Sequence, residues 1–435
     1  PPRSTPLYSS AASDVYKRQA LHCFNKGVQA ADPGKCLRLA VKKEPIPEPI
    51  GGKYIIISLG KAAISLMRST LEILPKKIPK IKLAVTNYEN FIDISDFEIV
   101  AAGHPNPDKN GLKAGKKVIK IIQSANKQDV VVILLSGGAS ALLPAPLPGL
   151  TLKDKIEINK LLLSADLNIK EINLVRQSMS SIKGGGLLSL IKSRNNVAYI
   201  LSDVIGDDFR VIGSGPTSSR IGGKKEARAL LIKKYLYKSL SKKQKIFFDD
   251  EVEINSQKLI TSTCVFKNVL IGNNQKSVHA MAKMAEADIF HQSITENVEV
   301  ASKKILSEVL KQKHKNIIKI ALGGETTVNV TGKGLGGRNQ ELALRFAYKV
   351  YQYGLNGKWC FLSGGTDGKD GITEATGAIV NHNTIPVLIN NGVCIETCLQ
   401  QNDSHTALSL TKDVFSVGAT ATNVADIMLF LGAFE

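Results

Sequence analysis

The sequence has no apolar run approaching the roughly 20 residues needed to cross a bilayer as a helix. That absence argues against a helical membrane protein. It has no Cys-x-x-Cys pair, and its six cysteines (Cys23, Cys36, Cys264, Cys360, Cys394 and Cys398) are scattered. A tetrahedral zinc site needs four grouped ligands, so a zinc ribbon or finger is excluded. Reduced thiols in a cytoplasmic protein are the expectation. No repeat of 20–50 residues recurs, which excludes a solenoid. Acidic residues are few beside basic ones, 38 against 57, and the formal net charge is +19. The lysines run along the whole chain with no interleaved aromatic platform. They predict a solvated surface, not a nucleic-acid interface.

What is present is a globular composition, with 43% hydrophobic and 22% charged residues in 435. That length is too great for one ordinary core and predicts two domains. Residues 1–19 lack the apolar core of a signal peptide and read as a disordered or non-native leader. Domain boundaries are expected at 20–255 and 256–435, with the polar segment 249–263 carrying the crossing. Short Val- and Ile-rich runs at 53–59, 82–87, 97–102, 129–135 and 197–202 predict strands. Helical patterns at 62–74, 110–124, 153–164, 171–183 and 224–243 alternate with them, which argues for a parallel α/β sheet. A second series follows. It has strands ending near 272, 322 and 362, helices to about 287 and over 338–351, and an antiparallel strand at 325–330.

Glycine is clustered where strands end. Ser136-Gly137-Gly138-Ala139-Ser140 follows the most apolar strand, where bare N–H groups would favour a phosphate or carboxylate. Lys61 follows Gly60 at another strand end. A cation is disfavoured at a helix start unless an anion lies nearby. His104, in Gly-His-Pro-Asn-Pro-Asp, reads either as a ligand or base or as a loop hydrogen-bonder. Asp203, Asp207 and Asp208 leave the end of a strand. Asp203 there suits a hydroxyl-proton acceptor or a Mg²⁺ ligand, with a turn or cap as the plainer reading. Gly332, Gly334 and Gly337 spell a formal G-x-G-x-x-G just before Arg338. The alternating strand before it, and the lack of an acid after 359–362, argue against a dinucleotide fold. A glycine-rich anion loop is expected instead, with the planar Arg338 fork facing it. Thr366, Asp367 and Asp370 lie among glycines after another strand and could ligate a cation or simply form turns.

Taken in order, SLGKAA, GHPNPD, LLSGGASAL, EINLVRQSMSSIKGGGL, LSDVIGDD with GSGPT, GGETTVNVTGKGLGGRNQEL, GGTDGKDG and GATATNVADI closely resemble the glycerate 2-kinase family. The matches cover roughly residues 20–430. The resemblance implies a Rossmann-like N-terminal α/β domain and a C-terminal MOFRL-like α/β domain flanking a cleft. It implies transfer of phosphate from ATP, with Mg²⁺, to the 2-hydroxyl of D-glycerate. Lys61 and Arg338 match the family's essential basic residues, and Asp203 is the preferred proton acceptor. Ser136, Gly137, Gly138, Ser140, His104, Lys183, Gly184, Gly336, Gly337, Asn339 and Thr366 are expected to bind substrate or ATP. Asp207 and Asp367 are expected at the metal. Small-molecule substrates, no nucleic acid and no membrane are the expected partners, with a homodimer left open. Gln177 and Ser178 replace a usual Lys-His pair, and Gly186 a usual arginine. Those departures keep a degenerate relative in view, beside a hydroxypyruvate reductase-type oxidoreductase.

Overall fold

A computed structural model describes residues 8–250 and 265–434. The chain forms two compact units. One runs from Pro33 to Gly272, and the other joins the segment up to Asp32 with that from Asn273 onward. Helix α1 (Tyr8–Ala30) opens the chain and belongs to the second unit.

The Pro33–Gly272 unit begins with α2 (Pro33–Lys43), β1 (Tyr54–Leu59), α3 (Ala63–Ile73), β2 (Lys80–Asn87), β3 (Glu98–Ala102) and α4 (Lys109–Gln123). There follow β4 (Val130–Leu135), a single turn α5 (Ala139–Leu142), α6 (Leu152–Leu163) and α7 (Ile169–Ser178). It closes with β5 (Asn195–Leu201), α8 (Lys224–Lys233), α9 (Lys242–Asp249) and β6 (Val265–Gly272). The six strands lie in the order β3-β2-β1-β4-β5-β6, all parallel. Every residue of β1 and β4 is buried, as their unbroken apolar runs require when helices cover a parallel sheet. The stripe Ala114, Val118 and Ile122 on α4 recurs every fourth residue and packs with Ile55 and Ile57 of β1.

The second unit adds α10 (Asn274–Ala285), β7 (Asp288–Ile289), α11 (Val298–Lys311), β8 (Ile317–Gly324), α12 (Arg338–Tyr353), β9 (Lys358–Gly365), β10 (Gly377–Asn381), β11 (Val414–Phe415) and β12 (Asp426–Ala433). Its sheet order is β11-β10-β9-β12-β8-β7 and it is mixed, with β12 antiparallel to both neighbours. Alternate residues of β12 serve opposite faces. Met428 and Phe430 pack with Phe346 of α12 and with Trp359. Ile427 and Leu429 pack with Phe24 of α1 and Met281 of α10.

That second face explains why the leader expectation fails in part. Residues 8–19 continue into α1, Lys17 pairs with Asp413, and Thr422 donates to the Ala31 carbonyl at 2.7 Å. Residues 1–7 lie outside the described residues, as does most of the expected crossing at 249–263. Three local expectations also change. Residues 325–330 form no strand and make only an isolated parallel bridge, Thr327 to Asn297. The 224–243 pattern is two helices, α8 and α9, broken where Tyr235 takes a left-handed φ of 59°. The 171–183 helix stops at Ser178, where a tight turn begins.

Candidate active site

β1 and β4 are neighbours at the centre of the parallel sheet, and the chain proceeds outward from them in opposite directions. At such a reversal the loops beyond the carboxyl ends part and leave room for a ligand. Gly60-Lys61 leaves β1 there, Ser136-Gly137-Gly138 leaves β4, and Asp203 follows β5. The two central loops are tied together. The Lys61 N–H donates to the Gly137 carbonyl at 2.8 Å. The buried Ser136 hydroxyl accepts from the Ala62 N–H at 3.1 Å and donates to the Leu59 carbonyl at 3.2 Å. Ser136 therefore spends its hydroxyl on backbone. Gly138 has φ 85°, and a Cβ on it would lie 3.2 Å from the His104 ring and 3.4 Å from Lys61 Cγ. This close approach brings Lys61, His104 and Gly138 to one point.

Beside that point lies a cavity of about 240 Å³, walled by His104, Gly138, Ser140, Lys155, Arg176 and Lys183. Lys183 is 3% exposed, and its ammonium donates to the Ser140 carbonyl at 2.6 Å and hydroxyl at 2.7 Å. Ser140 meets Ser214 at 2.8 Å, and Ser214 donates to Asn173 at 2.6 Å. Gly184 donates its N–H to the Ser214 carbonyl at 3.0 Å, which fixes the turn after Lys183. Arg176 gives its Nε–H to Asn159 at 2.8 Å. Lys155, on α6, is 6% exposed. Among the described residues no acceptor pairs with its ammonium, and no carboxylate lines the cavity. Burial, with Arg176 adding repulsion, pushes Lys155 down to about 8. Burial likewise holds Lys183 well below its ordinary value, with Lys155 and Arg176 contributing, and lowers Arg176. Neutral acceptors and mutual repulsion leave two buried lysines and the half-buried Arg176 with uncompensated charge. An anion is what such a cavity suits.

The acidic loop after β5 is simpler. Asp203 and Asp207 are partly exposed, and Asp207 sits in a turn with φ 54°. Asp208 is taken by Arg210, at 2.9 and 2.7 Å.

In the other unit the expected anion loop already contains an anion. The Asp370 carboxylate accepts from the N–H groups of Asn339 and Gln340, at 3.0 and 2.9 Å. It also accepts from both their side-chain amides, at 3.2 and 2.9 Å. Asp370 thus occupies the start of α12, where the helix dipole favours negative charge. Burial raises its carboxyl despite those bonds. Gly337 is required because a Cβ there would fall 2.3 Å from Asp370 Cγ, and Gly336 packs on Ser404. Asn339 also accepts from Ser363 at 2.6 Å. Thr366 is fully buried and bonds Ala425 and Val424. These residues hold the loop together, so their expected ligand contacts meet a site filled by protein.

Arg338 gives Nε and Nη2 to Asp426, at 2.6 and 3.0 Å, and Nη1 to Glu325 at 2.9 Å. Burial opposes its charge, but those carboxylates hold the guanidinium above its ordinary value. Asp367 accepts from the Lys369 N–H at 3.1 Å. Among the described residues no three His, Cys, Asp or Glu side chains gather as a metal cluster. A larger cavity of about 490 Å³ lies in this unit, but its cations are paired: Arg345 with Glu299 and Glu341, Lys349 with Glu299.

Two residues of the small cavity, Lys155 and Arg176, fall outside the expected set. The signal for Lys155 is its spacing. Lys155, Ile158 and Leu162 recur at i, i+3 and i+7 and are all buried, so the lysine stands on the apolar stripe of α6. The departures at Gln177 and Ser178 do not touch the cavity. Gln177 is buried and bonds the Arg210 and Ser214 carbonyls and the Ile221 N–H. At Gly186 a Cβ would fall 2.2 Å from the Ser181 carbonyl oxygen, so this turn admits only glycine as it stands.

A family model described as a domain of unknown function (DUF4147) matches residues 19–249, and one described as the MOFRL family matches residues 318–426. The D-glycerate 2-kinase of Thermotoga maritima is 34% identical over 95% of this chain and 98% of its own length. The glycerate 2-kinase of Pyrococcus horikoshii is 31% identical over 94% and 96%. The crystal structure of the Thermotoga maritima glycerate kinase superimposes with a TM-score of 0.82, at 33% identity, covering 97% of this chain and all of that one. Fold, ordered motifs and similarity along the whole chain agree, and the chain belongs to the glycerate 2-kinase family.

Proposed function

We propose that the chain transfers the γ-phosphoryl group of ATP to the 2-hydroxyl of D-glycerate, giving 2-phospho-D-glycerate. The observation that carries this reading is the cavity lined by the buried Lys155 and Lys183 and the half-buried Arg176, with no described carboxylate on its wall, beside Lys61 at the strand reversal of a chain in this family. Phosphoryl transfer depends on positioning and charge neutralisation, and the protein does little covalent chemistry. Lys61 neutralises the phosphoryl group in flight. The Gly137-Gly138 turn supplies backbone close to it. Asp203, at the end of β5, accepts the proton of the 2-hydroxyl. Arg338, in the other unit and oriented by Asp426 and Glu325, is the second basic residue proposed for catalysis.

Mg²⁺ ordinarily takes one or two carboxylates together with nucleotide phosphates and waters. Asp207 sits on the same partly exposed loop as Asp203, while Asp208 is committed to Arg210, so Asp207 is the carboxylate that fits that mode. When bound, the metal would spread the charge of the phosphates. Asp367 remains a second candidate in the other unit.

A relative from Agrobacterium vitis, 29% identical over 96% of this chain, carries a provisional hydroxypyruvate reductase name. The one formal dinucleotide fingerprint is poorly placed for that chemistry. No strand precedes Gly332, and Asp370 fills the helix start that a pyrophosphate would need. Among the described residues no helix is long and apolar enough to cross a membrane, and Cys23, Cys360, Cys394 and Cys398 form no disulfide. We place the enzyme in the cytoplasm, acting on small molecules. Replacing Lys61 or Arg338 by Ala should lower kcat by about 10²-fold or more while the circular dichroism spectrum stays unchanged. Near-normal turnover in both variants would remove them from the reaction.

A further inference from the structure

A nucleotide and a three-carbon acid are both anions, so family membership does not say which of them the cationic cavity receives. Size decides. Pockets for drug-sized ligands span about 300–1,000 Å³. At about 240 Å³ this cavity falls below that range. It is too small for an adenine nucleotide and suits an anion of a few heavy atoms. Charge agrees: Lys155, Arg176 and Lys183 converge there, and no described carboxylate lines the wall. Lys155 is the group without an acceptor. Lys183 is already satisfied by Ser140, and Arg176 uses its Nε on Asn159.

We infer that this cavity is the subsite for the hydroxy acid, and that Lys155 and Arg176 grip its carboxylate while Lys183 holds the Ser140 wall in place. The inference rests on the kinase reading for the identity of the acid. Placing the carboxylate among Lys155 and Arg176 leaves the hydroxyl end toward Gly138, where Lys61 and His104 meet. Selectivity follows from the same groups. An uncharged polyol has the hydroxyls but leaves both cations unanswered, so the cavity selects acids over alcohols. The nucleotide binds outside the cavity.

The test separates this claim from the kinase reading. D-glycerate, glycerol and ATP are titrated calorimetrically into the wild-type protein, Lys155→Met and Arg176→Met, and steady-state kinetics are measured on all three proteins. Thermal melts check that each variant is folded. D-glycerate should bind the wild type and glycerol should not. Each variant should weaken D-glycerate by about tenfold or more, the loss expected for one charge-assisted hydrogen bond. The KM for ATP should move by less than about twofold, since only uniform binding of the acid is removed. If both variants bind D-glycerate as the wild type does, or if the KM for ATP rises in place of that for glycerate, the subsite assignment is wrong and the kinase reading stands. If the wild type binds D-glycerate in this cation-dependent way but transfers no phosphate, the subsite stands and the kinase reading fails.

Discussion

Replacing Lys155 by Met should stabilise the ligand-free protein. The side chain is buried on α6, its ammonium has no described acceptor, and Arg176 and Lys183 repel it, with the His104 ring on the same wall. Its pKa falls from 10.5 to about 8. At about 1.4 kcal/mol per unit, that difference corresponds to about 3 kcal/mol of destabilisation. The sign follows from proton counts. Below pH 8 both the folded and unfolded states carry the proton, and the folded state bears the full cost of the buried charge. As pH rises from 8 toward 10.5 the folded state has released a proton that the unfolded state still holds, so stability climbs and the cost disappears. Met fills similar space without charge. Lys155→Met should therefore exceed the wild type by about 3 kcal/mol at pH 7 and converge with it near pH 10.5. Urea unfolding followed by far-UV circular dichroism measures this. Fluorescence of Trp359, the single tryptophan, reports the other unit and serves as the control. A saturating acid should narrow the difference by about 1.4 kcal/mol for each tenfold by which the variant binds it more weakly, because the wild type gains more binding energy. A variant less stable than the wild type at pH 7, or a difference that does not narrow with pH, would refute the uncompensated charge.

Other perturbations give distinct readouts. Asp370→Ala strands two backbone N–H groups and two amides at the start of α12. It should cost about 2–4 kcal/mol, visible as an earlier Trp359 transition in urea. Gly138→Ala meets both a left-handed φ and the His104 ring, so it should lose about 1 kcal/mol or more of stability and lower kcat together. Asp203→Asn should lower kcat by about 10²-fold and leave the KM for D-glycerate near the wild-type value if Asp203 takes the hydroxyl proton.

Much of the N-terminal architecture was legible because parallel strands buried on both faces read as unbroken apolar runs. VVVILL in β4 and YIIISL in β1 are examples, closed by Ser136-Gly137-Gly138 and by Gly60. The mixed second sheet was harder. β12 is as apolar as β4, but nothing local states that it runs antiparallel between β8 and β9. ETTVNV alternates like a strand, yet it pairs only through one bridge. Of the site, glycines at strand ends singled out Lys61, Gly138 and Ser140, and the structure puts Gly138 beside Lys61 and, with Ser140, on the wall of the small cavity. The loop before Arg338 misled because its anion is Asp370, a residue of the same chain far along the sequence. Lys155 was hidden by its type. A lysine on a helix reads as solvated, and only its register with Ile158 and Leu162 places it inside. The N-terminal helix was missed because its apolar side, including Cys23 and Phe24, has meaning only against the second sheet.

The central claim is that this chain phosphorylates D-glycerate at the 2-hydroxyl. Purified protein incubated with ATP, Mg²⁺ and D-glycerate, with 2- and 3-phosphoglycerate resolved by phosphorus NMR, tests it most directly. The account predicts 2-phosphoglycerate from the wild type and almost none from Lys61→Ala. Formation of 3-phosphoglycerate alone, or no phosphorylated product from the folded wild type, would contradict it.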